Sequence, residues 1–281
     1  MAEALLMGAV AYDPKVVTIW NGFRVWFRAH GVPFDYVLYS NYEQQVEDLV
    51  AGHIQLAWNS PLAWLRAQRL AAASGRTVRP LAMRDTDRDL TSVVVVRREA
   101  GIGTPADLAG RTVACGAVDS PQATLLPLAH LAQLGVTVTV RRFDVGVGLH
   151  GDHVGGERDA ARALIAGEVD AAAMLDATHL MLGKESTLPP GATEVVAQTA
   201  PYDHCMMTAG ETAPADLVDR FAELLFGMSY SDPEVRPLLD LEGLTAWEDG
   251  RTEGYRALDA AVDRFGFYGP GGEVTMAGYQ P

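Results

Sequence analysis

Apolar and polar positions along the chain change period repeatedly. Leu5–Val10 is apolar throughout and suits a buried strand. After a polar stretch at 11–15, positions 16–30 read as a helix with Val17, Trp20, Val25 and Phe27 on its apolar side and Gly31 at its end. Phe34–Tyr39 is a second strand. Ser40, followed three residues later by Glu43, forms a capping-box pattern and opens a helix with Tyr42, Val46, Leu49 and Val50 on one face. Gly52 closes that helix, and residues 54–58 form the next strand. Strands alternating with helices of this length predict an α/β protein with mainly parallel sheets.

An internal echo refines this. Leu49 to Ala57 (LVAGHIQLA) lines up with Leu164 to Ala172 (LIAGEVDAA): helix end, Ala-Gly, one polar residue, then a strand. The copies sit in the two halves of the chain, which predicts two similar lobes. The β-branched runs at 92–96 and 195–199 are the expected crossings between them. Lobe one is then 1–94 plus 199–268, and lobe two is 95–198. Helices at Ala215–Phe226 and 253–265 should pack on lobe one, and 269–281, rich in glycine, should form a loose tail. The stretch 240–254, with Trp247, either covers lobe one or contacts another copy.

Composition narrows the partners. With 48% hydrophobic and 21% charged residues the chain is neither disordered nor fibrous. Its formal charge of −14 gives no field to attract nucleic acid, so an anionic ligand must be held by local donors. No apolar run is long enough to span a membrane. The N-terminal residues show no basic segment and only a short apolar run, so a cytoplasmic protein without a transporter partner is expected. Cys115 and Cys205 are too few for a disulfide framework and read as reduced thiols, Cys115 within an apolar strand.

Ligand sites in open α/β sheets lie beyond the carboxyl ends of the strands. In two facing lobes this places the loops at 11–15, 58–61, 84–89, 117–124, 176–179 and 202–205 on one cleft. Ser60-Pro61 and Asp119-Ser120-Pro121 each carry a helix-start signature, Ser at the cap and Pro at the first helical position. Two helix N-termini facing one cleft hold a small oxyanion without net basic charge. The candidate ligand contacts are Tyr12, Trp58, Asn59, Ser60, Arg84, Asp119, Ser120, Gln122, Thr124, Asp176, Tyr202 and Asp203, with Trp64 read as core. Arg84 offers a planar fork to an oxyanion or pairs with Asp85 or Asp87. His150, His153, His204 and Cys205 are the candidate catalytic groups, and His150, His153, Glu157 and His204 a candidate set for iron or zinc, although their spacing matches no strong metal motif.

Four stretches carry a resemblance: 50–64 (VAGHIQLAWNSPLAW), 92–114 with its Asp-Leu-Ala-Gly-Arg-Thr-Val-Ala, 119–127 (DSPQATLLP), and 159–176. In these the chain resembles the phosphate/phosphite/phosphonate substrate-binding proteins of ABC importers, which have the type II periplasmic-binding fold. The resemblance implies a two-lobed clamp and puts 119–127 where that family grips phosphonate with small hydroxyl residues, a loop here interrupted by Pro121 and Gln122. The expected function is binding of a small anionic metabolite by hinge closure. The alternative is an enzyme built on the same frame, which resembles the leaderless pyrimidine synthases of thiamine formation and menaquinone-pathway enzymes.

Overall fold

A computed structural model describes residues 4–144 and 153–280. The chain builds β1 (Leu5–Val10), β2 (Phe34–Tyr39), β3 (Leu56–Asn59) and β4 (Val78–Arg84), with helices α1 (Lys15–Ala29), α2 (Tyr42–Ala51) and α3 (Pro61–Ala73) between them. It then crosses to a second sheet of β5 (Ser92–Arg97), β6 (Thr112–Cys115), β7 (Thr139–Arg142), β8 (Ala171–Leu175) and β9 (Thr193–Gln198), with α4 (Leu126–Gln133), α5 (His153–Ile165) and α6 (Asp176–Lys184). It returns through β10 (Met206–Gly210), α7 (Ala215–Phe226), α8 (Arg236–Glu242), β11 (Trp247–Asp249) and α9 (Arg256–Phe265).

The sheet orders are β11-β4-β10-β3-β1-β2 and β7-β6-β8-β5-β9. The α/β class and the two lobes follow the sequence pattern, but the sheets are mixed. Pairing is parallel in β2-β1-β3 and β7-β6-β8, where helices make the crossovers. It is antiparallel where β10 lies between β3 and β4, and where β5 lies between β8 and β9. Those strands begin or end at the crossings, so no strand–helix–strand unit dictates their direction.

Local details correct three expectations. Helix α1 buries Val16, Ile19, Trp20, Phe23 and Phe27, a stripe at helical spacing, while Val17 and Val25 fall off it and are exposed. The cap of α2 is Asn41, whose Oδ1 accepts from the Gln44 amide at 2.8 Å, in place of Ser40. The tail is not loose: Tyr279 is buried, and its hydroxyl donates to Glu43 at 2.7 Å. Arg66 on α3 donates to the Gly272 carbonyl at 2.8 Å, and Gly272 sits at φ +82, strained for any L side chain, with the Leu70 amide nitrogen 3.1 Å from where a Cβ would lie. The echo holds locally, since Gly52 and Gly167 both turn left-handed, at φ 87 and 75, before an interior strand.

Lobe one has an aromatic core in which the Phe221 ring of α7 stacks on Phe27 at 4.4 Å and Phe34 at 5.5 Å. Trp247 joins that core, so 240–254 covers lobe one. Helix α9 was expected on lobe one alone. Its Leu258, Ala261 and Val262 instead share a cluster with Trp64 of α3 and with Leu125 and Leu126 of the second lobe. At the crossings, Leu90 and Tyr202 exchange backbone hydrogen bonds of 2.8 Å each way, and Thr199 donates to the Ser92 carbonyl at 2.9 Å.

Candidate ligand site

Between the lobes lies a cavity of about 540 Å³. From lobe one it is lined by Tyr12, Asp13, Pro14 and Lys15 after β1, Tyr42 and Glu43 after β2, Trp58 near the end of β3 with Ser60, Pro61 and Leu62 after it, and Arg84 at the end of β4. Asp119, Pro121 and Gln122 face them from the loop after β6, with Val154 of α5 beside them. His204 and Cys205 come from the second crossing, Tyr268 from the turn after α9, and Tyr279 from the docked tail. The strand-end rule therefore places most of the site.

Both predicted helix starts reach this cavity. Ser60 Oγ accepts from the Ala63 amide at 3.2 Å, and Ser120 Oγ from the Ala123 amide at 3.1 Å. Pro61 and Pro121 bring no N–H, so the first amides of the two helical segments are those of the cavity-lining Leu62 and Gln122. The second segment begins as a π-helical turn, Pro121–Leu125, and continues into α4.

Arg84 meets both sequence readings. It forks onto Asp87, Nε to Oδ2 at 2.6 Å and Nη2 to Oδ1 at 2.9 Å, and donates through Nη1 to the Glu242 carbonyl at 2.9 Å. Its guanidinium also lies over the Trp58 ring, 5.3 Å from the centroid. Burial alone would raise the Asp87 carboxyl, but the Arg84 charge and fork, helped by His204, outweigh it and hold Asp87 far below the usual carboxylate range. Glu242 goes the other way: burial, reinforced by the Asp87 charge, lifts it to about 7 although Arg84 is 3.3 Å away. Burial also raises Tyr12, Tyr42 and Tyr268, so their phenols remain protonated and able to donate.

The Glu242 shift has a sign. The native protein keeps the Glu242 proton up to about 7, while the unfolded chain releases it near 4.5. This group therefore stabilises the fold fully below about 4.5 and loses that contribution as pH rises to about 7. Glu242→Gln should flatten this part of the pH–stability curve, as read from urea midpoints at several pH values. An unchanged slope would show that Glu242 titrates normally. Asp87 acts oppositely, its contribution being present above the ordinary 3.8 and lost as pH falls.

Of the sequence candidates, Tyr12, Trp58, Ser60, Arg84, Asp119, Gln122, His204 and Cys205 line the cavity. The others serve the framework beside it. Asn59 accepts from Gln45 at 2.9 Å and donates to Thr208 at 3.0 Å. Ser120 caps its helix, and Thr124 donates to the Ala117 carbonyl at 2.7 Å. Asp176 accepts from Thr91 at 2.8 Å, and the Tyr202 hydroxyl meets Ser92 Oγ at 2.7 Å. Asp203 is locked to Arg251, and Glu157 is buried in lobe two, accepting from the Leu175 amide at 3.1 Å. His150 and the side chain of His153 lie outside the described residues.

Sequence reasoning missed Tyr42, Glu43, Tyr268 and Tyr279. The first two follow the carboxyl end of β2, so the strand-end rule applied to every strand reaches them. For the tail, the signal was Tyr279, the one large aromatic in the glycine-rich segment expected to be loose.

The model of the family described as ABC transporter, phosphonate, periplasmic substrate-binding protein matches residues 11–255. The chain belongs to that family. Phosphate-import protein PhnD of Mycolicibacterium smegmatis is a relative, 24% identical over 219 residues, covering 75% of this chain and 64% of the relative's own length. Two solved structures share the fold. PhnD1 of Prochlorococcus marinus, in complex with methylphosphonate, has TM-score 0.69 and 16% identity over 94% of this chain and 98% of its own. XAC2383 of Xanthomonas citri, bound to chloride ion, has TM-score 0.70 and 19% identity over 93% and 98%. The two-lobed frame is thus that of phosphonate-type substrate-binding proteins.

Proposed function

We propose that this phosphonate-family protein binds a small organic oxyanion, phosphonate-, phosphate- or carboxylate-like, by closing its lobes over the interlobe cavity. One observation carries the reading: two Ser-capped, Pro-led helix starts from opposite lobes meet on the same cavity. Their first-turn amides supply partial positive charge where the chain as a whole is acidic. Lys15 lies on the same wall, and Tyr12 and Tyr42 add neutral donors. The methylphosphonate held by PhnD1 on the same frame supports this ligand chemistry.

The enzyme alternative draws no support from Cys205. Its thiol is 3.2 Å from His204 Nδ1, but burial pushes its pKa well up and keeps it from being a ready thiolate. We propose a cytoplasmic location, a reading with which two free, buried thiols are compatible, to be checked by fractionating cells that express the protein natively.

The test is thermal stability with inorganic phosphate, methylphosphonate, methanesulfonate or acetate. A true ligand at about a hundred times its Kd adds about 2.7 kcal/mol, a Tm rise of roughly 5 °C or more for a chain of this size. Trp58 fluorescence should change with the same concentration dependence, and Trp58→Phe should abolish the change. If none of the four anions moves Tm, the oxyanion reading fails.

A further inference from the structure

The interlobe crossings bring together three side chains that the ligand reading leaves unexplained. Asp87 comes from the first crossing, His204 and Cys205 from the second. One ligand atom of each lies within 4.8 Å of the others. His204 Nδ1 is 3.4 Å from Asp87 Oδ1 and 3.2 Å from Cys205 Sγ. Around a tetrahedral zinc ion with bonds of about 2.0–2.3 Å, ligand atoms stand roughly 3.3–3.8 Å apart. Two of the three edges are therefore already near that size.

The surroundings hold the three in place. The His204 amide donates to the Asp87 carbonyl at 2.8 Å, tying the two crossings backbone to backbone. The Tyr255 hydroxyl donates to the His204 carbonyl at 2.6 Å. Arg84 grips Asp87 through both carboxylate oxygens, fixing its plane as an outer partner of a metal-bound carboxylate does, and each oxygen has a further lone pair. Asp87 is almost wholly buried, whereas His204 and Cys205 line the cavity. A metal held by these three would be anchored on the crossing side and open on the cavity side.

We propose that Asp87, His204 and Cys205 form a three-ligand site for a divalent transition metal, zinc by its mixed N, S and O donors, with the fourth position open to the cavity. On binding, the Cys205 thiol gives its proton to solvent and the sulfur bonds to the metal. One thiolate and one carboxylate then balance the double charge of the ion. Water occupies the fourth position, and an oxygen of the bound oxyanion replaces it. Only this last clause rests on the proposed function. The site differs from the set expected from sequence, His150, His153, Glu157 and His204, since it shares only His204 with it and takes Asp87 and Cys205 as the other ligands.

The experiment uses the full chain stripped with chelator and titrated with zinc, then with cobalt as a spectroscopic stand-in. The expected result is one equivalent bound per chain, with a near-ultraviolet thiolate-to-cobalt charge-transfer band. Cys205→Ser should abolish that band, and both Cys205→Ser and His204→Gln should weaken zinc binding at least about tenfold. Cys115→Ser, a buried thiol far from the site, should leave band and affinity unchanged. Failure to bind one equivalent, a cobalt spectrum without the thiolate band, or undiminished affinity in both site variants overturns the proposal. Should Cys205→Ser fail to fold, the wild-type cobalt spectrum and His204→Gln decide the matter. Methylphosphonate or phosphate should also shift the visible cobalt bands. If those anions raise Tm but leave the bands unmoved, the open position is refuted and the oxyanion reading stands. If the thiolate band is present but no anion raises Tm, the metal site stands without that reading.

Discussion

Arg251→Ala should cost about 3 kcal/mol, the lower end of what removing one partner of a buried ion pair costs. Asp203 is fully buried, and its two oxygens accept from Arg251 Nε at 2.7 Å and Nη2 at 2.6 Å. Its Oδ1 also takes the Asp89 amide at 3.1 Å, so this one carboxylate joins both crossings to the loop after β11. Gly254 presses against it so closely that an added Cβ would lie 2.2 Å from the carboxylate. The cost stays near the lower end because Arg251 is about a third exposed, 32%, and its charge is partly screened. Arg220→Ala is the matched control: its 2.6 Å pair with Glu223 is on the surface of α7, and its loss should cost less than about 0.5 kcal/mol. Urea midpoints for the two variants decide. Equal costs would show that Asp203 is satisfied without Arg251.

Phe221→Ala should cost more, about 3–5 kcal/mol. Phe221 is fully buried and stacks on Phe27 and Phe34, residues nearly two hundred positions earlier in the chain. The contact ties the returning part of the chain to the elements that precede the second sheet, as β10 and β11 do within the first sheet. All 5 tryptophans, at 20, 26, 58, 64 and 247, lie on elements that flank or belong to the first sheet, so tryptophan fluorescence follows that lobe. The fluorescence midpoint in urea should fall sharply in Phe221→Ala. A midpoint equal to wild type would show that α7 is an appendage rather than part of the core of lobe one.

What was legible in the sequence was what local rules govern. The Ala-Gly helix ends and the Ser-Pro helix starts are each specified by neighbours in the chain and appear where the pattern puts them, whereas the β-branched runs expected to cross between the lobes form β5 and β9, neighbouring strands of the second sheet. From these, the loops around Trp58, Ser60, Arg84 and Gln122 could be aimed at one cavity. The errors come from partners distant in sequence. Tyr202 and Asp203 end a strand-like segment facing the cleft, yet Ser92 and Arg251 turn them into framework. Asp87 looked like a surface partner for Arg84 and is instead buried beside His204. The tail is held by Arg66 and Glu43, neither of which a Gly-rich composition announces. Val17 and Val25 are simpler: apolar residues in a helix, but off the stripe that the sheet covers.

The paired crossings have a consequence for how such a chain is assembled. It enters the second sheet at Ser92 and leaves at Gln198 on neighbouring strands, and the flanking Leu90 and Tyr202 remain hydrogen-bonded at 2.8 Å. Everything between those two doors is thus one uninterrupted insert, and the severed ends of the host would already touch. The part that carries Asp119 and Gln122 is therefore spliced to its host at only two points, and what else binds it to the host is packing, chiefly Leu125 and Leu126 against α9.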